Sequence, residues 1–92
     1  MIDQDQLKRI ATELFWWQAP EVSLANPRRF LAQVMSLGSW EHIQVAKREF
    51  GLERFRDALL NAQAGWFDPR SWALWHRAFG LPVAPMPKRS LT

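Results

Sequence analysis

The chain has 92 residues, 48% of them hydrophobic, with six tryptophans and no cysteine. This length supports one domain with a modest core, and the hydrophobic content argues against a disordered chain. Without cysteine there is no disulfide framework and no thiolate metal site. A mean hydropathy of -0.28 predicts no membrane span. The start of the chain, Met1 to Asp5, is acidic and unlike a signal peptide, so we expect a cytoplasmic protein.

The net charge of +3 and the pI near 10.2 overstate how basic the folded part is. Residues 1–80 contain ten Lys or Arg and all nine acidic residues, which leaves a charge of +1. Lys88 and Arg89 supply the rest from the C-terminal end. Phosphate binding usually needs several cations on one face, so this distribution weakens a nucleic-acid interpretation.

The first predicted helix spans residues 4–17 and ends in three consecutive aromatic residues. Its apolar positions, which recur at helical spacing, are Leu7, Ile10, Ala11 and Leu14. Phe15, Trp16 and Trp17 would cover about 200° of helix arc, so they cannot all face one core stripe. At least one ring should be exposed, either as a lid folded over the bundle or as a hot spot for a protein partner.

Three further helices follow, separated by single glycines. Asn26 and Pro27 form an N-cap signature that opens the second helix, which stops at Gly38. The third spans 39–50 and the fourth 52–62. Their expected inward residues are Phe30, Leu31, Val34, Leu37, Trp40, Ile43, Phe50, Leu52, Phe55, Leu59 and Ala62.

The fifth helix opens at Asp68-Pro69, stops at Gly80 and carries an aromatic stripe of Trp72, Trp75, His76 and Phe79. After it, residues 82–92 contain half of the six prolines and show no helical period. We therefore predict an all-α fold: a compact orthogonal bundle of about five short helices in one domain, residues 1–81, with a flexible, disordered Pro-rich tail, residues 82–92.

No residue pattern in the chain indicates catalysis, and we expect neither a metal nor a cofactor. The two histidines, His42 and His76, lie on different predicted helices without an acidic cluster at ligand spacing. His76 should be a core residue whose ring nitrogen meets a backbone carbonyl, and His42 should be solvated. The serines lie outside any nucleophile motif, and the glycines stand singly, so no phosphate loop is present. We predict that the protein is not an enzyme.

Residues 40–62 resemble a helix-turn-helix, with Gly51 between two helices and Arg54, Arg56 and Asn61 on the outward face of the second. A DNA-binding regulator using these three residues is one alternative. Acidic residues on the same helix would repel phosphate, and two crossed helices of a bundle explain the pattern equally well.

The motifs of this chain and their order resemble those of a family of small bacterial proteins. The motifs are Leu14-Phe15-Trp16-Trp17, Pro27-Arg28-Arg29-Phe30, Val34-Met35, Gly38-Ser39-Trp40-Glu41, Glu49-Phe50-Gly51, Trp72-Ala73-Leu74-Trp75 and Phe79-Gly80-Leu81, and the likeness covers about residues 14–81. Members of that family are commonly encoded beside nucleotidyltransferase toxins of the AbiEii kind. The resemblance implies an antitoxin. Where the family has an acidic residue soon after its first tryptophan, this chain has Gln18, so that acid's role does not carry over.

Together these observations predict a protein-binding module that neutralises a toxin by direct contact. The residues expected on its toxin-facing surface are Trp16, Trp17, Val83, Met86, Lys88 and Arg89. A structural or self-associating module is the third hypothesis, because an aromatic patch that binds its own copy looks the same in sequence.

Overall fold

Helices form all the regular secondary structure of residues 4–87, the part of the chain that the computed structural model describes; the side chain of Gln4 is not described. The helices are α1 (Gln4–Leu14), α2 (Pro20–Leu24), α3 (Pro27–Leu37), α4 (Trp40–Phe50), α5 (Leu52–Leu60) and α6 (Pro69–Ala78). The predicted all-α bundle is confirmed. Five of these helices match predicted ones, and α2 is additional.

Two helices begin at the caps that the sequence indicates. The Asn26 side chain accepts from the Arg29 backbone N–H at the start of α3, and Pro27 occupies the first helical position. Asp68 caps α6 in the same way, with its Oδ1 atom 2.7 Å from the Ser71 backbone nitrogen. These side-chain acceptors satisfy N–H groups that have no partner inside the helix, which fixes where each helix starts.

The chain leaves α1 earlier than predicted. The helix ends at Leu14, three residues before the expected end at residue 17, and the short helix α2 follows from Pro20. With five residues, α2 is too short to show a helical period, and it has no side-chain cap. Its only local sign is a proline at the first helical position.

Helix α3 is the centre of the bundle and contacts each of the other five helices. Six consecutive residues, 30–35, are buried, which is typical of a helix covered on all sides. A single apolar stripe was therefore too narrow a prediction for α3. It was also wrong for Leu37, which is exposed because it is the last residue of the helix, next to the turn at Gly38.

Two other expected core residues are exposed. Trp40 is 76% exposed and Leu52 is 46% exposed. Each is the first residue of its helix, ahead of the turns that pack on the core: Val45 and Ala46 are the buried residues of α4, and Phe55 is the first buried residue of α5. A residue at helical spacing is buried only where its helix has a neighbour.

The aromatic stripe of α6 packs as predicted. Trp72 and His76 are buried, and Trp75 is half-buried against the core. The Trp75 indole N–H donates to the Met35 carbonyl at 2.9 Å, and Nδ1 of His76 lies 2.8 Å from the Trp72 carbonyl oxygen. His76 is thus the core histidine that its position indicated.

Residues 82–87 contain no helix or strand, but they touch the bundle at two points. The Trp72 indole N–H donates to the Ala84 carbonyl at 2.6 Å, and Met86 packs partly buried against the core. No helix among residues 4–87 is both long and apolar enough to cross a bilayer.

Candidate functional site

Two exposed tryptophan rings stand side by side where α1 ends. Trp16 is 79% exposed and Trp17 is 53% exposed, whereas Phe15 is buried. The two indole rings meet edge to face, with centroids 5.8 Å apart, and Trp17 also packs against the Phe15 ring at 5.5 Å. We call Phe15, Trp16 and Trp17 the aromatic corner.

The prediction that at least one ring of this run is exposed is confirmed, but the physical cause differs from the one expected. The three residues are not spread around a continuing helix: they lie in the turn that follows Leu14. The backbone N–H of Gln18 donates to the Phe15 carbonyl at 3.1 Å, and the Gln18 side-chain amide donates to Ser23 Oγ at 2.7 Å. Because Ser23 is buried, this bond ties the turn to α2 and holds the rings in place.

A cleft of about 340 Å³ opens between the aromatic corner, α2 and the start of α3. Its apolar lining consists of Phe15, Trp17 and Val22. Val22 is itself exposed, so it extends the apolar surface of the aromatic corner. The polar lining consists of Gln18, Ser23, Asn26 and Arg29.

Arg29 lines this cleft and also a second one, of about 430 Å³, formed with residues 63–66. Its guanidinium carbon is 5.5 Å from the centroid of the Phe15 ring and 5.6 Å from that of Trp66. Both distances are within the range of a cation–π interaction. Arg29 therefore forms the boundary between the two clefts, with one aromatic contact on each side.

A buried glutamine connects Arg29 to the end of α1, next to the aromatic corner. The Gln33 side-chain amide donates to the Leu14 carbonyl at 3.2 Å, and its oxygen accepts from Arg29 Nη1 at 3.1 Å. The first bond satisfies a carbonyl left open by the end of α1. The second fixes one edge of the guanidinium.

The two neighbouring arginines of α3 differ electrostatically. Arg28 pairs with Asp57, with Nε 2.8 Å from Oδ2, and this contact raises the pKa of Arg28 and lowers that of Asp57. Arg29 has no ion pair within residues 4–87, and burial lowers its pKa because desolvation disfavours the charged form. Sequence reasoning missed Arg29, although its placement four residues before Gln33 on a helix was a usable signal.

Of the predicted partner-binding residues, the structure describes Trp16, Trp17, Val83 and Met86. Val83 is exposed, but its segment is attached to α6 through Trp72, and α6 contacts α3 and α5 rather than α1 or α2. Met86 is partly buried against the core. Lys88 and Arg89 lie outside the described residues. The structure thus brings Trp16 and Trp17 together, whereas Val83 and Met86 lie on a segment that contacts α6 and the core.

The residues of the DNA-binding alternative differ in whether their side chains are held by hydrogen bonds within the fold. Arg54 and Arg56 are exposed on α5. The Asn61 side-chain amide instead donates to the backbone carbonyl of Asp57 at 2.9 Å and to its carboxylate at 3.1 Å. Asn61 would have to give up at least one of these bonds for its amide N–H to donate to a base edge.

His42 is not the solvated residue that the sequence predicted. Its Nδ1 atom accepts from the Ser39 backbone N–H at 3.2 Å, completing a capping box at the start of α4. Its Nε2 atom is 2.6 Å from Oε2 of Glu13 on α1. Because Nδ1 accepts, Nε2 is the nitrogen that carries the proton and donates to Glu13. Within residues 4–87, no group of three or more potential ligands is arranged to hold a metal ion.

No protein-family model matches the chain, and neither the curated proteins nor the solved structures compared with it gave a significant match. The resemblance to a toxin-associated family, which the motifs indicate, therefore stays a prediction.

Proposed function

We propose that this protein is a binding module for another protein and that the aromatic corner, extended by Val22, is its contact surface. The observation that carries the proposal is the exposure of two adjacent tryptophan rings, Trp16 and Trp17. Large exposed apolar groups in contact with one another are typical of interaction sites, and tryptophan is enriched among the residues that dominate binding energy.

The way the corner is held supports this proposal. Trp17 rests on the buried Phe15 ring, and the Gln18–Ser23 bond fixes the turn that carries both tryptophans. A partner that buries these rings would lose little conformational freedom of the protein on binding, which favours affinity. Rings kept at the surface by a hydrogen-bonded turn, rather than by fraying of a helix end, are suited to this role.

The finer proposal is that the partner is a nucleotidyltransferase toxin and that the protein acts as its antitoxin in the cytoplasm. This step depends on the resemblance of the motifs between residues 14 and 81. Neutralisation would be steric: a bound module of this size would cover part of the toxin surface.

The test is co-expression of the chain with the product of its adjacent gene, followed by affinity pull-down and a growth-rescue assay. The wild-type chain should retain the neighbour and restore growth. The double variant Trp16→Ala/Trp17→Ala should retain at least about tenfold less, because each hot-spot ring contributes about 2 kcal/mol or more.

Leu74→Ala is the matched control, since Leu74 is 60% exposed on α6, a helix that does not contact α1 or α2. It should bind and rescue like the wild type. Equal loss in both variants would contradict the placement of the surface. A harmless neighbour would favour the self-associating module instead. So would an apparent size of the chain that rises with concentration unless both tryptophans are replaced.

A further inference from the structure

We propose that Arg29 is an anchor for a carboxylate, so that the cleft beside the aromatic corner takes an acidic peptide segment of the protein partner, with an apolar side chain next to the Asp or Glu. This inference rests on the proposed function and specifies the chemistry of the partner. It follows from the charge, the contacts and the surroundings of Arg29.

Arg29 is the one charged residue that lines either cleft in the described part of the chain. A guanidinium has five N–H donors. Only Nη1 of Arg29 has a protein acceptor among residues 4–87, the Gln33 side-chain oxygen. Nε and Nη2 are therefore available, and no carboxylate of the described residues neutralises the charge.

The two cation–π contacts and the Gln33 bond favour the charge of Arg29, but two features of the fold act against it. Arg29 lies in the first turn of α3, where the helix dipole is positive, and it is partly desolvated between Phe15 and Trp66. Its neighbour Arg28, at the same helix end, has Asp57 as a counter-ion. A ligand carboxylate would offset both costs at Arg29, since a guanidinium and a carboxylate form paired hydrogen bonds in a fixed geometry.

The walls of the cleft favour a peptide over a nucleic acid. Trp17 and Val22, which are both exposed, line the same cleft as the cation and offer apolar contact there. Binding to a phosphate backbone usually uses several cations on one face, whereas this site presents one. A peptide with an acidic side chain flanked by leucine supplies a single anion together with the apolar groups that the walls would cover.

The experiment is an NMR titration of the full chain with two peptides that differ only in charge, acetyl-Leu-Asp-Leu-amide and acetyl-Leu-Asn-Leu-amide. The Nε–H signal of Arg29 and the indole N–H signal of Trp17 report on the two halves of the site. The Asp peptide should shift both signals with millimolar affinity, and the Asn peptide should bind at least about tenfold more weakly, the loss expected when one charge-assisted hydrogen-bonded pair is removed.

Arg29→Gln should reduce binding of the Asp peptide to the level of the Asn peptide, while Arg28→Gln should leave it unchanged. The wild-type comparison of the two peptides does not depend on how well either variant folds. Equal binding of both peptides, or no shift of the Arg29 signal, would overturn the proposal. So would inorganic phosphate that shifts the Arg29 signal at lower concentration than the Asp peptide does, because it would assign the site to a phosphate-bearing ligand. No toxin is used in this titration. A negative result would therefore not affect the outcome of the pull-down that tests Trp16 and Trp17.

Discussion

At the scale of single residues, Gln33 links two separate parts of the structure through its side chain. It is a buried polar side chain on the central helix, and it satisfies both the open carbonyl at the end of α1 and one edge of the Arg29 guanidinium. A buried polar group is stable only when its hydrogen bonds are made. The single polar residue in the buried run 30–35 of α3 thus positions two parts of the candidate site.

Gln33→Leu should lower the free energy of unfolding by about 1–3 kcal/mol, because it leaves the Leu14 carbonyl and Arg29 Nη1 without their partner. Urea unfolding followed by tryptophan fluorescence measures the effect. Gln44→Leu is the control, since Gln44 is half-buried on α4 and its side chain makes no hydrogen bond within residues 4–87. Equal stability of the two variants would mean that the hydrogen bonds of Gln33 do not stabilise the fold.

The Arg28–Asp57 pair predicts a pH dependence. Its hydrogen bond and charge lower the pKa of Asp57 in the folded state, so the pair stabilises the fold above the unfolded pKa of about 3.9. That stabilisation is lost as the pH falls through the lowered folded-state pKa. The urea midpoint of Asp57→Asn should therefore lie below that of the wild type at pH 7, and the gap should close towards pH 3.

Because this pair is at the surface, the gap at pH 7 should be small, and 1 M salt should reduce it. Glu53→Gln is the control on the same helix, since Glu53 has no ion pair among the described residues. A gap between Asp57→Asn and the wild type that stayed constant from pH 7 to pH 3 would show that the ion pair is not its source.

At the scale of elements, the sequence predicts where helices form, because their caps and spacing are local. It does not predict which of their apolar side chains are exposed, because that depends on how the helices pack. Asn26-Pro27 and Asp68-Pro69 indicated the starts of α3 and α6 because caps depend on adjacent residues. Trp40 and Leu52 have helical spacing but lie at helix starts, away from the core. The cleft at Arg29 is lined by the turn after α1, by α2 and by the start of α3, so the periodicity within one helix does not locate it.

The junction of α4 and α5 depends on the backbone of Gly51. Its φ of 83° and ψ of 157° lie in a region that is nearly restricted to glycine. A Cβ added there would meet nothing within 4 Å, so any cost of L-alanine must come from the backbone. Gly51→Ala should destabilise the protein by about 1–3 kcal/mol in urea unfolding.

D-alanine at position 51, introduced by peptide ligation, separates backbone strain from crowding. The mirror-image residue accepts a positive φ without strain, so this protein should be at least as stable as the ligated wild type. Gly38→Ala gives the contrast, because its Cβ would lie 2.5 Å from the Val34 carbonyl oxygen at an ordinary φ. Equal destabilisation by L-alanine and D-alanine at position 51 would contradict a conformational origin.

At the scale of the whole molecule, charge is distributed so that the high pI is a poor guide to function. Basic and acidic residues of the folded part nearly cancel, and on α5 the exposed Arg54 and Arg56 share their helix with Glu53 and Asp57. The affinity of a protein that makes about 6–10 phosphate contacts with DNA falls steeply with salt. In the part of the chain that the structure describes, α5 offers two exposed arginines, Arg54 and Arg56, for such contacts.

Binding to duplex DNA should therefore be weak and depend only shallowly on salt. In fluorescence anisotropy with the full chain between 50 and 200 mM KCl, a plot of log affinity against log salt should have a slope shallower than about -3, as fewer than about four neutralised phosphates would give. Arg54→Ala/Arg56→Ala should weaken binding no more than Arg70→Ala/Arg77→Ala, which removes two exposed arginines from α6. A slope of about -6, lost only when Arg54 and Arg56 are replaced, would instead make α5 a reading helix and the protein a DNA-binding regulator.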